Sequence, residues 1–258
     1  MCICRFFSTF AADMNNLPRI TKNLLLANLV MWLATIVMQR WGLDLNGLLG
    51  LHYVSAQSFH WWQPFTYMFM HADFTHLFCN MFAVLMFGPA LENQWGENKY
   101  LIYYIVTGLG AAFVQECVWA IQIQSMLSTY AEVLVAGYSN QILTIGASGA
   151  VFGILLAFGW LFPDVKMFLL FIPIPIRARV FVILYALFEL FAGLAPHAGD
   201  NVAHFAHLGG MLFGVILILW WEKFGNTWKF PRIKRPKDDV EDEGTTSNGR
   251  RWHYRGSV

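Results

Sequence analysis

The chain has 258 residues, of which 57% are hydrophobic and 13% charged, with a formal net charge of +1. A soluble domain carries charge at about 25% of its positions, so this composition excludes one and points to an integral membrane protein. Four cysteines (Cys2, Cys4, Cys79, Cys117) are too few and too scattered for a disulfide framework or a zinc site.

Residues Met1 to Asp13 differ in character from the rest of the chain, and Met14 opens the polar stretch Asn15-Asn16-Leu17-Pro18-Arg19. Residues 1–19 read as an N-terminal cytoplasmic lead. It is either a short amphipathic segment or the product of an upstream start codon, with Met14 as the true start. It does not resemble a cleavable signal, which needs a small-x-small site after its first apolar run. Six apolar segments then approach the ~20 residues that a spanning helix requires: 22–40, 71–91, 99–122, 146–163, 178–195 and 202–221. They predict an all-α membrane domain over 20–222. The connection 41–70 contains Trp41, Leu48, Leu49, Trp61, Trp62 and Phe65. It reads as a structured element in the membrane interface, where Trp is enriched. The connections 92–98, 123–145, 164–177 and 196–201 read as polar. The tail 223–258 is basic from Lys223 to Lys237, then acidic from Asp238 to Glu243. It reads as a juxtamembrane anchor leading into disorder.

With the N-terminus inside, every Lys and Arg except Arg40 falls on the inner side. That bias follows the positive-inside rule for six spans with both termini cytoplasmic. Ser148, His76, His197 and His207 then fall toward the outer face, in one layer.

A polar side chain within a span is costly and is by default a functional candidate. Ser148 lies in Gly146-Ala147-Ser148-Gly149, at the outer mouth of the fourth segment. The two glycines let a substrate backbone approach closely, and a helix N-terminus favours a developing anion. Gly149 and Gly153 form one G-x-x-x-G, and Gly210 and Gly214 another, a spacing that lets membrane helices pack closely. His207, Gly210 and Gly214 share a helix face, so close packing of segments four and six would bring His207 to Ser148 as its general base. His76 and Asn80 are one turn apart and could donate to an oxyanion. Asp200 is seven residues from His207 and no carboxylate lies where it could orient that ring, so the chemistry reads as a Ser–His dyad without a third member. His204 is the weaker candidate base because no glycine follows it at the third position, and His71 reads as structural.

Together these motifs resemble the rhomboid family of intramembrane serine proteases, over about residues 20–222. Gly146-Ala147-Ser148-Gly149 is similar to its GxSG. His71, His76 and Asn80 match H-x-x-x-x-H-x-x-x-N, and Ala206, His207, Gly210 and Gly214 match A-H-x-x-G-x-x-x-G. Glu92 and Gly96 fall where the family has E-x-x-x-G. The resemblance implies a rhomboid-like bundle of six transmembrane helices, the compact bacterial form, with an interfacial first outer loop. It implies Ser148 as nucleophile and His207 as base, with His76, Asn80 and the Ser148 backbone N–H as the oxyanion hole. Phe152 stands where many members have a Tyr that stacks on the base. Trp62-Gln63 replaces the common Trp-Arg, and the connection 123–145 is long for a compact member.

The function so implied is a serine endopeptidase that cuts peptide bonds in or near transmembrane segments of other membrane proteins. Its partners would be transmembrane substrates weakened by Gly or Pro near the outer face, and the lipid bilayer of a bacterial inner membrane. No nucleic acid, cofactor or metal is implied: the histidines have no carboxylate or Cys partner at ligand spacing. The alternative is a non-catalytic rhomboid-like factor for membrane-protein binding or quality control, but such relatives typically lack the Ser or the His. A solute transporter would show symmetry-related internal repeats, and segments one to three do not echo four to six.

Overall fold

A computed structural model describes residues 17–169, 172–195 and 202–224. The lead before residue 17, the loop with His197 and Asp200, and the tail from residue 225 lie outside the described residues. Each of the six expected segments forms a helix: α1 (Arg19–Gln39), α2 (Phe74–Trp95), α3 (Glu97–Leu127), α4 (Ser148–Leu161), α5 (Ala178–Leu194) and α6 (His204–Phe224). Of these, α1, α2, α3 and α6 are long and apolar enough to cross a membrane. Large apolar side chains such as Val30 and Val37 on α1 and Ile183, Phe188 and Phe191 on α5 face outward. That is the surface of a bundle whose solvent is lipid.

The bundle is organised around α3, which packs against both α4 and α6. Its inner face carries Tyr100, Tyr103 and Tyr104, all fully buried. A buried hydroxyl is stabilised by a partner, and the Tyr103 hydroxyl donates to the Gly153 carbonyl of α4 at 3.0 Å. The start of α1 is held from a distance. Its first backbone N–H groups have no partner within their own helix. The buried Glu92 of α2 accepts from Ile20 N–H at 2.8 Å, from Thr21 N–H at 2.7 Å and from the Thr21 hydroxyl at 2.7 Å. A carboxylate at a helix N-terminus is also favourable to the helix dipole. Four residues later Gly96, at φ +82°, makes the sharp turn from α2 directly into α3.

The first outer loop meets the sequence expectation, and two later connections depart from it. The first outer loop is structured, with short helices at Leu45–Leu49 and Gln63–Thr66 and a 3-10 turn at Tyr67–Phe69. Gln63, fully buried, braces it by donating to the carbonyls of Ser58 at 2.8 Å and Leu48 at 3.3 Å. Strand β1 (Leu51–His52) of this loop pairs antiparallel with β2 (Leu143–Thr144), which leads into α4. The stretch 123–145 is only partly a loop: α3 runs on to Leu127, and a helix at Glu132–Ser139 follows. The stretch 164–177 is an antiparallel hairpin of β3 (Lys166–Leu169) and β4 (Ile172–Arg177). Its Phe, Ile and alternating Pro residues suit an extended backbone rather than a polar linker.

Helix α4 is shorter than expected. Its 14 residues span about 21 Å at ~1.5 Å each, against a hydrocarbon core of ~30 Å. The non-helical backbone just before Ser148 is buried inside protein and tied down: Gly146 N–H donates to the Tyr67 carbonyl at 2.9 Å. Irregular backbone at membrane depth is tolerable under that condition.

Candidate active site

Ser148 is the first residue of α4, and the residues just before it set its position. Gly146 adopts φ +134°, a conformation in which side-chain-bearing residues are strained. A Cβ at Gly146 would also lie 2.7 Å from His76 Nε2 and 3.5 Å from Ser148 Oγ. The glycine is therefore the gap that admits the His76 ring beside the serine. His76 sits in the first turn of α2, whose N-cap Asp73 accepts from the His76 backbone N–H at 2.8 Å. His76 Nδ1 faces the Ala72 N–H at 3.5 Å, which leaves Nε2 as the N–H donor on the serine side. Asn80, one turn on, is buried, and its Nδ2 has no hydrogen-bond partner among the described residues. A buried donor without an acceptor is costly. Asn80 lines a cavity of about 260 Å³ between α2, α4 and α5, together with Phe152, Leu155, Phe181 and Tyr185. In the loop ahead of α2, His71 packs edge-on against His76 at 5.0 Å. Burial, and then the neighbouring His76, push its imidazole down to about 4, so it is neutral at physiological pH.

From the other side, α6 brings His207 in. Its Nε2 lies 2.8 Å from Ser148 Oγ. Phe152 stacks flat on the imidazole, with ring centroids 4.2 Å apart and planes 7° from parallel. The crossing of α4 and α6 explains the reach: a Cβ at Gly210 would collide with the carbonyl oxygen of Gly149. The remaining glycines mostly serve α3. A Cβ at Gly149 would strike Ala111, one at Gly153 would meet Thr107 at 2.6 Å, and one at Gly214 would strike the Tyr103 hydroxyl. Two G-x-x-x-G stretches thus accommodate three helices, where the spacing alone suggested two.

The expectation that no carboxylate orients His207 is overturned. Glu189 of α5, buried, has Oε2 at 2.9 Å from His207 Nδ1 and 2.7 Å from His204 Nδ1. His204 therefore belongs to the same cluster without meeting the serine. The three residues offer donor atoms that all lie within 4.8 Å of one another, so two imidazoles do have a carboxylate at ligand distance, contrary to the sequence expectation. Sequence distance concealed Glu189, which is 18 residues from His207. A signal was nevertheless present: it is the one acidic residue in its apolar segment, near the end that the charge bias places outside.

The Rhomboid domain family matches residues 58–222. The chain is 28% identical over 185 residues to RHOMBOID-like protein 6, mitochondrial, of Arabidopsis thaliana, covering 68% of this chain and 51% of that one. It is 31% identical over 148 residues to Rhomboid protein 1, mitochondrial, of Saccharomyces cerevisiae, covering 57% and 38%. It is 28% identical over 180 residues to Rhomboid-like protease 3 of Toxoplasma gondii, covering 68% and 58%. The chain spans about half the length of the curated relatives it matches.

Proposed function

Because the chain belongs to the rhomboid family, as a multi-pass membrane protein, we propose that it is a serine endopeptidase acting on transmembrane segments of other membrane proteins. The single observation that carries the reading is the 2.8 Å contact between Ser148 Oγ and His207 Nε2. A hydroxyl is a weak nucleophile until a base takes its proton. In the proposed reaction Ser148 Oγ attacks the scissile carbonyl as His207 Nε2 takes the hydroxyl proton. The carbonyl oxygen gains the electron pair and is held by His76 Nε2–H, Asn80 Nδ2–H and the Ser148 backbone N–H. His207 then returns the proton to the departing amine, and water hydrolyses the acyl-enzyme by the same route. The unpartnered Asn80 amide and the His76 ring beside Gly146 support the oxyanion role. A helix hides its carbonyls in hydrogen bonds, so the substrates are spans that unwind readily through Gly or Pro near the outer face. The membrane in this reading is a bacterial inner membrane, and the Lys and Arg distribution supports an orientation with both termini cytoplasmic. The deciding experiment is cleavage of a generic spanning substrate by the wild type and by Ser148→Ala in the same detergent. Ser148→Ala should abolish cleavage without lowering thermal stability. Turnover above a few per cent in a folded Ser148→Ala protein would refute the nucleophile and favour a non-catalytic binding role.

A further inference from the structure

We propose that Glu189 is the positioning residue for the base: it sets the tautomer and orientation of His207, making the constellation Ser148–His207–Glu189. The inference rests on the reading of Ser148 as nucleophile and His207 as base. Its ground is the pairing around one ring. His207 Nε2 faces Ser148 Oγ at 2.8 Å while Nδ1 faces Glu189 Oε2 at 2.9 Å. An ionised carboxylate only accepts, so Nδ1 must carry the hydrogen. Nε2 is then left with its lone pair toward the serine, which is the tautomer a general base needs. Free imidazole favours the opposite tautomer, so the choice has to be imposed.

The carboxylate is itself fixed. His204 Nδ1 donates to the same Oε2 at 2.7 Å. The Glu189 residue is 2% exposed, so water does not compete strongly for that oxygen. Three contacts from two neighbouring helices thus define the ring: Glu189 of α5 at its edge, and Phe152 on its face and Ser148 at its tip, both from α4. During attack the Ser148 O–H bond breaks, its proton moves to Nε2 and the Oγ–C bond forms. The resulting imidazolium lies beside the Glu189 carboxylate. The Nδ1 proton stays on His207 throughout, and Glu189 is never protonated. This is the division of labour of a Ser–His–acid triad, with the acid supplied here by a separate membrane helix.

The bland alternative is that Glu189 merely ties α5 to α6. The two roles separate in one experiment on the full chain in detergent micelles, with wild type, Glu189→Gln, Glu189→Leu, Glu189→Asp and Ser148→Ala. Three readouts are taken: kcat and KM for a spanning substrate, the thermal midpoint, and the ¹⁵N shifts of the His207 ring. Wild type should show hydrogen on Nδ1 and none on Nε2. Glu189→Leu, which removes the acceptor, should move the hydrogen to Nε2 and lower kcat by about 10²- to 10⁴-fold with KM nearly unchanged. Glu189→Gln keeps an acceptor but loses the charge and should fall between, with Glu189→Asp recovering part of the rate. A wild-type ring protonated on Nε2 overturns the proposal, even if every variant fails to fold. So does a folded Glu189→Gln or Glu189→Leu protein with wild-type kcat, or one in which KM alone changes. Activity in Ser148→Ala would instead sink the protease reading, while the tautomer measurement would still stand.

Discussion

At the scale of single residues, the two histidines of α6 are the sharpest test of how the chain works. Both touch Glu189, but His207 alone is placed at Ser148. His207→Ala should therefore abolish cleavage, while His204→Ala should keep substantial activity, because Glu189 can still hold His207. Initial rates on one spanning substrate decide it; equal losses, or the reverse order, would refute the choice of base. Asn80→Ala should lower kcat about 10- to 1000-fold and raise KM far less. Donors to an oxyanion act in the transition state, and His76 and a backbone N–H remain. An unchanged kcat would make Asn80 a structural residue whose orphaned amide needs another explanation. Ser148, His207, His76 and Asn80 were legible in the sequence because polar side chains in apolar segments have few reasons to be there. Glu189 obeys the same rule. It escaped because the only carboxylate near His207 along the chain is Asp200, seven residues away, whereas Glu189 comes across from the neighbouring helix.

At the scale of helices and strands, the contact of α4 with α6 sets the distance between Ser148 and His207. A side chain at Gly210 has nowhere to go but into the Gly149 carbonyl. Gly210→Val should thus force the two backbones apart, with a shift of ~1 Å costing about 100-fold in rate. Thermal stability should fall as well, by about 1–3 kcal/mol, as for other overpacked interiors. Gly149→Val should lose at least as much stability, since its Cβ strikes Ala111 of α3 as well as approaching α6. Measured together, cleavage and melting should decline in both variants. A Gly210→Val protein as active as wild type would mean that the crossing does not set the site. The six helices were legible because an apolar run near twenty residues has few alternatives in a membrane. The hairpin at 164–177 was not: its apolar, Pro-rich stretch has no helical period, and length alone assigned it to a connection. The true start of α4 was hidden for a related reason. Gly146 and Ala147 are apolar enough to be counted with the helix, yet Gly146 has a backbone no helix allows.

At the scale of the whole molecule, the charge bias predicts which ends of the helices face which side. In a background lacking the 4 native cysteines, Ser58→Cys in the first outer loop should react with a membrane-impermeant maleimide added to intact cells. Asp164→Cys in the hairpin connection should react only after lysis. The opposite pattern would invert the orientation and place Ser148 at the inner face. The long first loop is rigid enough for such labelling to be read cleanly, because Gln63 and the pairing of β1 with β2 pin it to the bundle.

In the proposed protease, the short α4 would act as a ruler. Its 14 residues end at the hairpin connection, so Ser148 lies about 21 Å along the helix axis from that end. A client helix anchored by its own basic flank at the same inner surface would be cut at a rung counted upward from that anchor. A thicker bilayer would leave the rung where it is and put more lipid above it. The position of the cut would then be a property of the client's inner boundary, insensitive to how far its outer end extends.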